Sequence, residues 1–180
     1  MSMATSDVRD SSGKSEVQAV NFRDYDFADP ADHAYRWIDV KNVELSTGEV
    51  SHDGVLAALI ASEQYHDGYA GGGIDPAGDI HGPYLIARLE PSSYEETSVG
   101  DAVLLIERWA GQFGPIPRRL AADLEAKVFT VLRRADKVFR LRDLGPEARH
   151  EWSGVHIEFH EFVIVDKHCR LVTLLVAADD

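Results

Sequence analysis

The chain has 180 residues, of which 44% are hydrophobic and 27% are charged, a composition typical of a globular domain. Its 18 basic and 31 acidic side chains give a net charge of −13, which argues against non-specific binding to nucleic acid or to an anionic membrane. The single cysteine, Cys169, excludes an internal disulfide and suits a reducing compartment. We therefore expect a soluble cytoplasmic protein.

The N-terminal residues 1–20 are rich in Ser, Asp and Lys and show no apolar periodicity, which predicts a disordered tail. They contain neither the basic region nor the apolar region of a signal peptide. No apolar run reaches the roughly 18 residues of a membrane span. We expect residues 21–180 to form a single domain.

The first predicted elements are a strand over residues 35–45 and a short second strand at 49–51, separated by a turn at 46–48. An unbroken apolar run at 55–61 follows side chains that suit a helix N-terminus. This pattern predicts a helix over 54–66 that is buried on all sides.

The middle of the chain contains a glycine-rich loop at 67–82, which is long enough to be functional or mobile. Residues 83–90 fit either a strand or a first helical turn. Ser98 resembles a capping residue before a helix that ends at Gly111. We expect a strand shortly after the end of this helix.

The clearest helical pattern covers residues 117–134. Apolar residues recur at helical spacing on one face of this segment, namely Leu120, Leu124, Val128, Val131 and Leu132. A short strand or extended piece at 137–144 and one or two helical turns at 146–152 are predicted next.

The C-terminal stretch at 155–178 has two apolar runs around a short polar break, which predicts a β-hairpin. Residues 162–165 are all apolar, so this hairpin should lie inside a sheet that is covered on both faces. The fold class is therefore α+β, with an antiparallel sheet that includes the hairpin and is covered by the two main helices at 54–66 and 117–134.

Two groups of residues could bind a divalent metal such as zinc, manganese or iron, because they combine imidazole and carboxylate groups. The loop at 66–81 carries His66, Asp75, Asp79 and His81, although their spacing matches no metal motif and solvated turn formers are the alternative. Alternation predicts a second group on one strand face, where Val155, Ile157 and Phe159 point away from His156, Glu158 and His160. The alternative for this group is the polar outer face of an amphipathic strand.

The charge is distributed unevenly along the chain. Residues 1–100 hold 6 basic and 18 acidic side chains, whereas residues 118–142 hold 8 basic and 3 acidic ones. We expect the basic segment to lie against acidic residues from 21–53, in the same chain or in a homodimer. Its arginines could also contact a partner or bind a small anion, and the candidates are Arg133, Arg134, Arg140 and Arg142.

These patterns complete no catalytic constellation. The function expected from the sequence is therefore a binding or protein-interaction module that acts by contact, with another protein or a second copy as partner. The alternative is a small metal-dependent enzyme that uses the 66–81 loop, the His156–His160 strand face, or both. We expect neither nucleic acid nor a membrane as partner.

Overall fold

The computed structural model describes residues 17–44, 51–166 and 171–180. Within these residues, six strands form one antiparallel sheet in the order β1-β2-β8-β7-β6-β5, and two short strands form a separate ribbon. The sheet strands are β1 Val17–Asn21, β2 Arg36–Glu44, β5 Tyr94–Thr97, β6 Lys137–Leu141, β7 Glu158–Asp166 and β8 Leu171–Asp179. The ribbon strands are β3 Ile80–His81 and β4 Tyr84–Leu85.

The predicted C-terminal hairpin is confirmed, and it occupies the centre of the sheet. Strand β7 pairs with β8 from Glu158, opposite Asp179, to Asp166, opposite Leu171. Successive side chains of β7 enter opposite core clusters, with Phe162 in one and Val163 in the other. Both faces of the hairpin are therefore buried, which explains its unbroken apolar sequence.

The first core cluster lies between the sheet and three helical segments. These segments are α2 Val99–Ala110, α3 Arg118–Leu124 and α4 Thr130–Arg133, and a π-helical segment, Glu125–Phe129, joins the last two. Ser98 caps α2 by accepting a hydrogen bond of 3.0 Å from the backbone N–H of Asp101. The prediction of a helix over 117–134 is confirmed, because Leu120, Leu124, Val128 and Leu132 are all buried beneath it.

The second core cluster lies under α1 His52–Ile60 on the opposite face of the sheet. This helix is shorter than the predicted one at 54–66, and it buries Leu56 and Leu59 rather than its whole surface. The Ser62 hydroxyl donates to the carbonyl of Leu59, and a 3-10 turn, Glu63–Tyr65, follows. This local hydrogen bond competes with continuation of the helix. Most of the predicted strand at 49–51 lies outside the described residues, and Ser51 caps α1 instead.

Three other predictions need correction. Residues 17–20, which were predicted to belong to a disordered tail, form part of β1 because Val20 pairs with Ile38 of β2 and is buried. Strand β5 precedes α2, whereas the sequence predicted a strand after that helix. The ambiguous segment at 83–90 forms β4 and a 3-10 turn, Ile86–Arg88.

The alternation predicted before the hairpin holds only from Glu158 onward, where Phe159 lies on the face opposite Glu158 and His160. Strand β7 begins at Glu158, and a 3-10 turn, Ser153–Val155, precedes it. Ile157 is consequently 74% exposed, whereas His156 is buried and both of its ring nitrogens have polar partners.

Within the described residues, no helix is long and apolar enough to cross a membrane.

The central position of Phe162 leads to a stability prediction. Phe162 is fully buried in the first core cluster, so Phe162→Ala should lower the free energy of unfolding by about 3–5 kcal/mol. Urea denaturation followed by circular dichroism measures this loss. Trp152→Ala is the matched control because Trp152 is 74% exposed. Equal losses in the two variants would contradict the assigned core.

Candidate functional site

A cleft opens where strand β2 meets the glycine-rich loop. Along β2, Ile38 and Val40 enter the core beneath the helices, so Trp37, Asp39 and Lys41 alternate onto the opposite face. The cleft has a volume of about 420 Å³. Its lining includes Trp37, Asp39, Asp67, Tyr69 and Asp180.

The buried amine of Lys41 contacts three of the residues that line this cleft. Lys41 is 3% exposed, and its Nζ donates to the carboxylate of Asp67 and, at 3.1 Å, to the hydroxyl of Tyr69. The same Nζ lies 3.4 Å from Oδ2 of Asp39 and 4.2 Å from the centre of the Tyr69 ring. One ammonium group is thus held by two carboxylates and an aromatic face, which satisfies a charge that would be costly to bury alone.

The side chain of Tyr69 is fixed by an unusual backbone conformation. Tyr69 has a φ of +55°, in the left-handed region that residues other than glycine rarely adopt. The carboxylate of Asp67 holds this turn by accepting a hydrogen bond of 2.8 Å from the Tyr69 N–H. The Tyr69 ring stacks on Trp37, with ring centroids 5.5 Å apart and planes 20° from parallel. The two rings therefore form an ordered aromatic wall.

The carboxylates of the cleft differ in their surroundings. Burial raises the pKa of Asp39, and the nearby Asp67 raises it further, while Lys41 acts in the opposite direction. Asp180 accepts a hydrogen bond from the Trp37 indole N–H at 2.9 Å, and its other oxygen lies 2.8 Å from Nδ1 of His156. Asp39 is therefore the half-buried cleft acid whose proton is held more tightly than that of an ordinary aspartic acid.

A second polar cluster lies behind the cleft, inside the core. Glu161 is 1% exposed, lies 2.5 Å from Nε2 of His81, and accepts a hydrogen bond from the Tyr94 hydroxyl. The hydroxyls of Tyr94 and Tyr65 are 2.5 Å apart, and the His81 and Tyr65 rings stack with centroids 3.6 Å apart. Because the carbonyl of Tyr65 can only accept, Nδ1 of His81 carries a hydrogen, and Nε2 faces the Glu161 carboxylate. The cluster therefore joins β7 and β5 to the residues at both ends of the loop.

The residues predicted to bind a metal do not converge. Nδ1 of His66 donates to the carbonyl of Gly78, Asp75 accepts from the backbone of Ala77, and Asp79 is exposed. His81 binds Glu161 in the core. Within the described ranges, no group of three or more His, Cys, Asp or Glu side chains is arranged to hold a metal ion.

The predicted strand-face group is divided in two. Glu158 and His160 share a face of β7, and Oε2 of Glu158 lies 3.1 Å from Nε2 of His160. His156 precedes the strand and faces the cleft side, where its Nε2 donates to the carbonyl of Gly68 at 2.9 Å. These residues therefore anchor the loop and the strand end separately.

Within the chain, the basic segment contacts mainly residues outside 21–53. Arg133 pairs with Glu125 at 2.5 Å, and Lys137 pairs with Glu96. Arg142 donates to the backbone carbonyl of Ser92. One basic side chain does reach the predicted region 21–53: Cζ of Arg119 lies 5.2 Å from the centre of the Tyr25 ring. Part of the positive charge of the segment is therefore paired within the chain, and a homodimer stays a prediction.

Sequence reasoning missed the acids and the amine of the cleft. A usable signal was present in β2, where Trp37, Asp39 and Lys41 fall on one face of a strand whose other face carries Ile38 and Val40 at its centre. A charged row on an otherwise core-forming strand indicates either pairing or a site. The partners on the loop could not be identified from spacing alone.

Comparisons with protein-family models, with curated proteins and with solved structures find no match to this chain. The arguments for function therefore rest on the geometry of the cleft.

The Glu161 cluster leads to a second prediction. Glu161→Ala should lower the free energy of unfolding by about 3–5 kcal/mol, because it leaves His81 and the Tyr94 hydroxyl buried without the carboxylate that they contact. Chemical denaturation of Glu161→Ala and of Glu95→Ala, which alters an exposed glutamate in β5, provides the comparison. A loss no greater than that of Glu95→Ala would show that the cluster does not stabilise the loop.

Proposed function

We propose that the protein is a binding module that acts by contact and takes a small organic cation, such as an amine, into the cleft between β2 and the glycine-rich loop. The observation that carries this proposal is the position of Lys41. Its ammonium group lies between Asp39, Asp67 and the face of Tyr69, which are three of the residues that line a cleft open to solvent. This is the combination of carboxylates and aromatic faces that stabilises a partly desolvated cation.

The rest of the lining supports the same chemistry. Three carboxylates line the cleft, from Asp39, Asp67 and Asp180, and Arg23 is the exposed cation among the lining residues. The Trp37 and Tyr69 rings supply apolar surface, and a volume of about 420 Å³ lies within the range of small-molecule sites. The net charge of −13 also attracts cations over longer distances.

The metal-dependent alternative lacks a ligand cluster within the residues that the structure describes, so binding is the function that we retain. A cytoplasmic location is part of the proposal, and its support is the single cysteine of the chain.

Calorimetry with choline tests the proposal. We expect saturable binding of choline and at least tenfold weaker binding of 3,3-dimethylbutan-1-ol, its neutral isostere, because a desolvated cation–π contact contributes about 2 kcal/mol. Trp37→Ala should weaken choline binding by a similar factor, since it removes half of the aromatic wall. Trp152→Ala, which removes an exposed tryptophan outside the lining, should not. Equal binding of choline and the alcohol, or no saturable binding of either, would refute the proposal.

The raised pKa of Asp39 gives the site a predictable pH dependence. A carboxylic acid with a raised pKa takes up its proton at a higher pH than the ordinary aspartate value of 3.8, and it then no longer attracts a cation. Choline affinity should therefore fall on acidification, beginning above the pH at which an ordinary aspartate is neutralised. Calorimetric titrations across the acidic range measure this loss. In Asp39→Asn this early phase should be absent, whereas Asp53→Asn, an exposed change in α1, should retain it.

A further inference from the structure

A second cavity lies on the opposite face of the sheet, next to α2. It has a volume of about 530 Å³. Its wall includes Leu104, Leu105, Arg108 and Trp109 of α2, Arg140 of β6 and His160 of β7. His160 alternates with Glu161, so the sheet itself separates this cavity from the cluster behind the cleft.

The basic groups of this cavity have no acid paired with them. In the described part of the chain, neither Arg108, which is exposed, nor the half-buried Arg140 makes a side-chain hydrogen bond or an ion pair. Trp109 is 3% exposed, and its indole N–H is a buried donor without an acceptor among the same residues. Such donors are energetically costly when they are left unpaired. Arg108 and Arg140 therefore present donors to the cavity that have no acceptor among the described residues, whereas the Trp109 N–H is too deeply buried to meet a ligand there.

The acids that also line the cavity are already engaged. Glu158 bonds to Nε2 of His160 at 3.1 Å, and Asp101 accepts a hydrogen bond of 2.7 Å from the Ser98 hydroxyl at the start of α2. Burial lowers the pKa of His160, and the charge of Arg140 acts in the same direction although Glu158 opposes both. His160 is therefore uncharged at neutral pH, and it does not compete with the arginines for an anion.

We propose that this cavity binds a small organic anion with an apolar body. Its carboxylate or phosphate group would accept hydrogen bonds from Arg108 and Arg140, because planar guanidinium groups match the geometry of both oxyanions. Its apolar body would pack against Leu104 and Leu105, of which Leu104 is 42% exposed at the rim. This site is independent of the cation cleft, since the two share no lining residue.

The probes are benzoate, phenyl phosphate, inorganic phosphate and benzamide, the last being a neutral analogue of benzoate. Calorimetry should show saturable binding of benzoate or phenyl phosphate, whichever head group fits, and little binding of benzamide. Inorganic phosphate should bind more weakly than phenyl phosphate, because it lacks the apolar body. Arg140→Gln and Arg108→Gln should each weaken binding about tenfold or more, the loss of one charge-assisted contact.

The matched control is Arg118→Gln, which removes an exposed arginine from α3, outside the cavity lining, and should leave the affinity unchanged. Unfolding midpoints of the three variants establish that each one is folded. Equal weakening by Arg118→Gln would reduce the interaction to general electrostatics and overturn the proposal. Equal binding of benzamide and benzoate, or no saturation with any probe, would also overturn it.

Discussion

The bond between the buried carboxylate of Glu161 and His81 is the interaction on which the candidate site depends. Glu161 belongs to the central strand β7, whereas His81 lies 80 residues earlier, at the end of the glycine-rich loop. A loop that long has a large conformational entropy, and a few short-range turns would not hold it against the sheet. The Glu161 carboxylate also accepts a hydrogen bond from the Tyr94 hydroxyl, and Nδ1 of His81 donates one to the carbonyl of Tyr65. Both ends of the loop are therefore fixed to the core, and Tyr69 between them can be held in a left-handed backbone conformation.

The other wall of the cleft is positioned by a second buried charge, Arg36. Its guanidinium group donates to the carbonyls of Trp109 and Ala110 at the C-terminal end of α2, where the partial negative charge of a helix is concentrated. It also lies 4.3 Å from the centre of the Trp109 ring. Because Arg36 begins β2 on the helix-covered face, this contact fixes the same strand that presents Trp37, Asp39 and Lys41 on the opposite face. Strand β2 is thus held by a cation on each face.

The elements that the sequence predicted correctly are those specified by local periodicity. The hairpin and the helix at 117–134 carry their apolar residues at the spacing of their own secondary structure, so neighbouring residues were sufficient to identify them. The cleft depends instead on pairs between distant residues, such as Lys41 with Asp67 and Glu161 with His81. His66 and His81 were predicted as metal ligands because they carry imidazole groups. In the structure, their ring nitrogens bond to backbone carbonyls and to Glu161 instead. Spacing along the chain contains no information about such partners, and it could not show that the metal candidates would separate.

The ammonium group of Lys41 also determines which carboxylate of the cleft is left to interact with a ligand. Asp67 is buried, and its two oxygens are used by Lys41 and by the Tyr69 N–H. The two oxygens of Asp180 are likewise occupied by contacts with the Trp37 indole N–H and with Nδ1 of His156. Asp39 remains, half-buried at 3.4 Å from an ammonium group that already pairs with Asp67. Since Lys41 divides its charge between two carboxylates, it does not fully offset the burial of Asp39, and the pKa of Asp39 stays raised. A second cation beside the aromatic wall would supply the missing charge. The same incomplete pairing therefore explains the perturbed acid, and it is the physical basis of the proposed preference for a cation over a neutral molecule of the same shape.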